Sequence, residues 1–191
     1  MSVITSHGVT LRGENGLVLR PLTDGHLPLL YRWNADPEVL YWVEEDDVSA
    51  YDEEAVRAIY GGVSRNAHCF LIEADGVPIG ECWLQRMNLA SVLSMYPPGT
   101  DVRRIDICIG EKAYWGKGFG TAAVRLLTGF AFEDGTEVIH CLCDDYNVRS
   151  CRMWEKLGFE LVEREALEAG QKGKYQHHYR MCRLGYERIL G

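Results

Sequence analysis

The chain has 191 residues, a length suited to one domain, and its 47% hydrophobic and 25% charged residues place it among ordinary globular proteins. Its formal charge of −8, from 28 acidic and 20 basic side chains, argues against nucleic acid as the partner, because phosphate binding needs a basic surface; it permits a cationic one. No apolar run approaches the ~18 residues of a membrane span, so no membrane partner is expected.

Met1 to His7 carry neither a basic nor an apolar leader pattern, so no signal peptide is expected. Residues 1–16 are expected as a loose N-terminal extension of a single domain spanning 1–191. Leu17 to Leu22 predicts a short strand stopped at Pro21. Thr23 and Asp24 offer an N-cap for a helix reaching about Asn34, and Asp36-Pro37 breaks it. Asp52 to Tyr60 predicts a helix ended by Gly61-Gly62. His68 to Glu73 and Val77 to Leu84 predict a hairpin across Ala74-Asp75-Gly76. Ser91 to Thr100, with Pro97-Pro98-Gly99, reads as a loop.

Val102 to Gly110 alternates, with Arg104, Asp106 and Cys108 on one face and Ile105, Ile107 and Ile109 on the other, which predicts a strand. Gly118 to Phe132 carries Ala122, Ala123, Leu126, Leu127, Phe130 and Ala131 at helical spacing. Val138 to Cys143 predicts a buried strand. Asn147 to Leu157 predicts a helix closed by Gly158, and Phe159–Glu163 and Tyr175–Arg183 predict the last two strands. The order is mixed α and β, with helices crossing between strands over one sheet. Seven cysteines sit mostly in apolar runs, with no CxxC pair matched to a distant ligand; this implies reduced cytoplasmic thiols and no metal site.

The segment Tyr114-Trp115-Gly116-Lys117-Gly118-Phe119-Gly120-Thr121 follows a predicted strand and opens a predicted helix. Three alternate glycines let the backbone approach a ligand and aim several N–H groups one way. With the partial positive charge of the helix start, they form an anion site suited to a pyrophosphate. The spacing fits neither the GxGxxG fingerprint nor a Walker loop.

Taken with Arg103 to Gly110, with Asn147-Val148-Arg149-Ser150, and with Trp154-Glu155-Lys156-Leu157-Gly158-Phe159, this segment resembles the GNAT family of acetyl-CoA-dependent N-acetyltransferases. The likeness covers about residues 17–184 and extends to the aminoglycoside 6′-N-acetyltransferases and to enzymes that acetylate ribosomal-protein N-termini. It implies an α/β (α+β) fold with a mixed central sheet of about seven strands and about four flanking helices, splayed between two central parallel strands. It implies acetyl-CoA as co-substrate, with no metal. Ile107, Cys108, Ile109, Trp115, Gly116, Lys117, Gly118, Phe119, Gly120, Thr121, Asn147 and Trp154 would bind it. The first of these would hold the pantetheine arm and the acetyl carbonyl through backbone, and the glycine turn would hold the pyrophosphate. Lys117, Arg152 or Lys156 would reach the 3′-phosphate.

Asp106 is the expected catalytic base and amine anchor, since an aspartate holds this strand position in the aminoglycoside enzymes and an ammonium must lose a proton before attack. Trp154 stands where many relatives carry a tyrosine acid, and an indole N–H cannot serve as that acid. The acceptor is expected to be a small-molecule amine carrying several positive charges, received by Trp42, Glu44 and the following Glu45, Asp46 and Asp47, and by Asp106, Asp144, Asp145 and Tyr179. The reading is transfer to the 6′-amine of an aminoglycoside by direct attack. The alternatives are the same chemistry on a protein N-terminus, peptide, amino acid or siderophore lysine, and a non-catalytic acyl-CoA sensor. Dimers are common among such relatives, which leaves a homodimer open.

Overall fold

The computed structural model describes residues 2–44 and 48–190. Its strands are β1 (Leu11–Arg12), β2 (Leu17–Pro21), β3 (Ala67–Ala74), β4 (Val77–Arg86), β5 (Val102–Cys108), β6 (Val138–Asp144), β7 (Glu160–Ala166) and β8 (Tyr175–Cys182). They form one sheet in the order β1-β2-β3-β4-β5-β6-β8-β7, in which β5 and β6 run parallel and their outer neighbours antiparallel. The helices are α1 (Leu27–Asn34), α2 (Pro37–Val43), α3 (Glu53–Val63), α4 (Ala90–Leu93), α5 (Phe119–Glu133), α6 (Val148–Lys156) and α7 (Arg183–Leu190).

Both faces of the sheet are covered. Along β3, Phe70 and Ile72 join a core with Ala123, Val124 and Leu127 of α5 and Trp154 of α6. The alternate residues Cys69 and Leu71 join Leu27, Leu30 and Trp33 of α1 and Val56 and Tyr60 of α3 on the other face. Each such apolar side chain contributes ~1.5–3 kcal/mol by leaving water.

The two central strands carry the functional consequence. β5 and β6 pair at Val102↔Val138 and Arg103↔Ile139 and then part. β5 stays paired to β4 as far as Glu81↔Cys108, and β6 stays paired to β8 as far as Asp144↔Gln176. The sheet therefore opens into a V between Arg104 and Cys108 on one arm and His140 and Asp144 on the other. The splayed mixed sheet expected from the resemblance is present, with eight strands in place of about seven and seven α-helices among the described residues in place of about four.

Local differences have local causes. The expected loose N-terminal extension is packed: Ile4 is buried, the Ile4 and Val3 N–H groups donate to the Asp24 carboxylate at 2.7 and 3.0 Å, and Leu11 pairs with Leu19. Asp36-Pro37 ends α1 but also starts α2, with the Asp36 carboxylate capping the Glu38 N–H at 2.9 Å and Pro37 at the first helical position. α3 runs on through Gly61 and Gly62. A Cβ on Gly61 would sit 3.2 Å from the Val3 carbonyl, so the glycine serves the packing of the N-terminal segment.

Candidate active site

Two cavities of about 370 and 360 Å³ flank the V and share Trp42, Val43, Ile107, Asn147 and Ser150. The first is built on the glycine turn. Gly116 and Gly118 have φ of +71° and +87°, left-handed values that glycine adopts without strain, and they carry the chain from β5 into α5. Among the described residues no side chain caps α5, so the first-turn N–H groups of Phe119, Gly120 and Thr121 face the end of the helix that favours an anion.

Arg149 supplies a cation there. Its guanidinium lies 5.0 Å from the Trp42 ring and 5.3 Å from the Trp115 ring, held between two π faces. The Trp115 indole donates to the Ile109 carbonyl at 2.6 Å, which fixes that wall. Lys156 lines the same cavity. Neutral backbone donors and two cations suit a CoA pyrophosphate and pantetheine arm, so the cavity fits the expected co-substrate.

Of the residues expected to bind it, Ile107, Cys108, Ile109, Trp115, Gly116, Gly118, Phe119, Gly120, Thr121 and Asn147 line this cavity. Lys117 is exposed instead, with its ammonium 5.5 Å over the Tyr114 ring. Trp154 lines the second cavity, and its buried indole N–H has no partner among the described residues. Asn147 acts through structure: its carbonyl oxygen accepts the Ser150 N–H at 3.2 Å, and its amide donates to the Trp42 carbonyl at 2.7 Å. It thereby caps α6 and pins the end of α2 over both cavities.

The second cavity is lined by four acidic side chains, Glu44, Glu81, Asp106 and Asp144, with the aromatic rings of Trp42, Trp83, Tyr146 and Trp154. Its one lining cation among the described residues, Arg104, is bidentate to Asp106 at 2.7 and 2.9 Å. The Trp83 indole also donates to Asp106, so this carboxylate is engaged by three donors. Asp144 is buried, accepts from Gln176 at 3.3 Å, and has its carboxyl pushed upward by burial.

Glu81 differs from both. It is 5% exposed; its Oε1 accepts from Tyr60 Oη at 3.3 Å, and its Oε2 has no partner among the described residues. Burial first, and the charge of Asp106 second, raise its carboxyl from the ordinary 4.5 to about 8. The residue is brought there by Gly80, where a Cβ would lie 2.2 Å from the Cys108 carbonyl; only glycine lets β4 lie this close to β5. Sequence reasoning missed Glu81 and Arg149. The available signals were a carboxylate interrupting the apolar run Ile79–Leu84 and an arginine inside the Asn147–Ser150 motif.

Two expected acceptor residues are elsewhere. Tyr179 is fully buried in the sheet core, with its hydroxyl donating to Glu155 at 3.1 Å, because its β8 position pairs with Cys141 on one side and Leu161 on the other. Asp145 turns away to accept the Lys174 N–H at 2.9 Å. Glu45, Asp46 and Asp47 lie outside the described residues.

A splayed sheet with an anion-holding helix start on one side and a carboxylate-lined cavity on the other is the layout of an acyltransferase that uses a nucleotide thioester. Residues 16–160 match the acetyltransferase (GNAT) domain, and the chain belongs to that family. An aminoglycoside N(6′)-acetyltransferase type 1 of Klebsiella pneumoniae is 29% identical over 165 residues, covering 82% of this chain and 80% of its own length. Among solved structures, the aminoglycoside acetyltransferase AAC(6′)-Ib, in complex with ribostamycin and coenzyme A, superposes with a TM-score of 0.78 at 23% identity, covering 92% of this chain and 98% of that one. The ribosomal L7/L12 α-N-protein acetyltransferase RimL, in complex with coenzyme A, has a TM-score of 0.72 at 15% identity, covering 91% and 98%.

Proposed function

We propose that this acetyltransferase moves the acetyl group of acetyl-CoA to a primary amine of a polycationic small molecule, the 6′-amine of an aminoglycoside. The observation that carries the reading is the second cavity, where the carboxylates of Glu44, Asp106 and Asp144 and the raised carboxyl of Glu81 meet aromatic walls, and its one lining arginine among the described residues is already paired. Several ammonium groups on an apolar-faced sugar ring suit such a surface. The 29% identity to an aminoglycoside N(6′)-acetyltransferase supports the same acceptor. The seven free thiols support a reducing, cytoplasmic setting.

Bound acetyl-CoA would supply the acyl group as a thioester and leave as the thiol. The first-turn N–H groups of α5, with Arg149 and Lys156, would hold its phosphates. Asp106, oriented by Arg104 and Trp83, anchors the acceptor ammonium. Glu81 takes the proton that this ammonium must lose: burial and the nearby Asp106 charge raise its carboxyl to about 8, and its Oε2 has no partner among the described residues. The two carboxylates thus divide anchoring from proton transfer, as their different surroundings dictate. Backbone N–H groups on the edge of β5 that parts from β6 would receive the oxyanion as nitrogen adds to the carbonyl carbon; as the C–S bond breaks, the nitrogen's second proton passes through water to the departing sulfur, which leaves as the thiol.

Thiol release from acetyl-CoA, measured with kanamycin, a peptide panel and free lysine, tests the reading. The expected result is turnover with kanamycin and a product acetylated on the 6′-amine. Turnover with peptides or lysine alone overturns the acceptor. Acetyl-CoA binding without turnover on any amine overturns the enzyme reading.

A further inference from the structure

Cys143 at the end of β6 and Cys151 on α6 bring their sulfurs to 3.7 Å, and Cys151 Sγ lies 3.8 Å from His177 Nδ1. A disulfide holds its sulfurs at ~2.05 Å, so the pair stands about 1.7 Å from bonding distance. Cys143 forms part of the acceptor-cavity wall, which gives a small solute a route to the pair. The seven residues between them include Asp144, Tyr146, Asn147 and Ser150 on the acceptor side and Asn147, Arg149 and Ser150 on the cofactor side.

We propose that Cys143 and Cys151 are a reversible oxidation site, whose disulfide redraws the segment shared by both cavities. The neighbours favour it chemically: the Cys143 S–H and His177 lower the Cys151 thiol, while Cys143 itself is raised. With hydrogen peroxide as oxidant, one thiolate attacks a peroxide oxygen, the O–O bond breaks, and hydroxide leaves and takes up a proton as water. The second thiol then attacks the sulfenic sulfur, forming the S–S bond and releasing a second water. Two thiols are oxidised, one peroxide is reduced, and a dithiol reductant reverses the change. Disulfide formation is independent of the proposed function; only the consequence for ligand binding rests on the cofactor site proposed above.

The test is peroxide titration of the full chain, alkylation of the remaining thiols, and peptide mapping. A Cys143–Cys151 cross-link that forms first and is reversed by dithiothreitol is expected; sulfinic acid at either residue, or pairing with Cys141 or Cys182, overturns the proposal. Affinity for desulfo-CoA, which has no thiol to exchange, is expected to fall about tenfold on oxidation, a usual size for coupling between sites. It should stay constant in Cys151→Ser, or in Cys143→Ser if the first variant fails to fold. An oxidised chain that binds desulfo-CoA within about twofold of the reduced one overturns the consequence, while the cross-link map stands on its own.

Discussion

Asp106 and Glu81 sit on neighbouring strands and line one cavity, and the proposed function gives them different work because their surroundings differ. Asp106 was legible in the sequence, since its place in the Arg103–Gly110 strand marks it and Arg104 lies two residues away. Under the proposed function its three donors make Asp106 the anchor, and the base role expected of it passes to Glu81: Asp106→Asn is then expected to raise KM for the cationic acceptor more than it lowers kcat, costing ~1.5–3 kcal/mol in kcat/KM, as for a hydrogen bond to a charged group. Steady-state kinetics with the acceptor varied would check the split. Glu81 was not legible, because only the elements packed around a hairpin strand decide that its glutamate is buried and its carboxyl raised. For the protein itself, kcat/KM is expected to rise with pH as Glu81 ionises near 8. Glu81→Gln should lose that limb and about 100- to 10,000-fold of the rate. A pH–rate profile of the variant that keeps the limb would remove Glu81 from the mechanism.

At the scale of elements, most of the fold was open to sequence reasoning. The periodicities of β5, α5 and β6 predict the elements found, and Gly158 closes α6 with φ +84°. What escaped was the double meaning of breakers. Asp36-Pro37 stops one helix by the restriction proline places on its predecessor, and starts the next by capping and by a fixed φ. α2 then delivers Trp42 and Glu44 to the site. The turn into α5 gives a separate prediction. Gly118 is left-handed in open space, so Gly118→Ala meets only backbone strain, ~1–2 kcal/mol. The expected result is a lower melting temperature and a raised KM for acetyl-CoA, with KM for the acceptor changed much less; equal effects on both would mean that the turn does not serve the cofactor alone.

Over the whole molecule, two buried groups give opposite pH dependences of stability. His140, hydrogen-bonded to Tyr96 and His178 inside the sheet, is lowered from 6.5 to about 4, mainly by burial. The unfolded chain takes up a proton there that the fold refuses, so its contribution is full above pH 6.5 and is lost as pH falls toward 4. Glu81 works the other way. Between pH 4.5 and about 8 the fold keeps a proton that the unfolded chain releases, so stability declines as pH rises through that window. The unfolding free energy of Glu81→Gln minus that of the parent, from denaturant titration, should therefore grow from pH 5 to pH 8, with a ceiling of several kcal/mol at ~1.4 kcal/mol per unit. A flat difference would show that Glu81 ionises freely in the fold.

The sequence by itself determined the mixed α/β order, the glycine turn at a helix start and the placement of Asp106, because periodicity, left-handed glycines and strand alternation are local properties of the backbone. Only the fold in three dimensions fixes Arg103 as the point where the expected splay of β5 and β6 begins, buries Glu81 beside Asp106, puts Tyr179 in the core and brings Cys143 to Cys151. Each of these depends on which surfaces cross in space, and burial and charge interactions are set by those distant neighbours rather than by spacing along the chain.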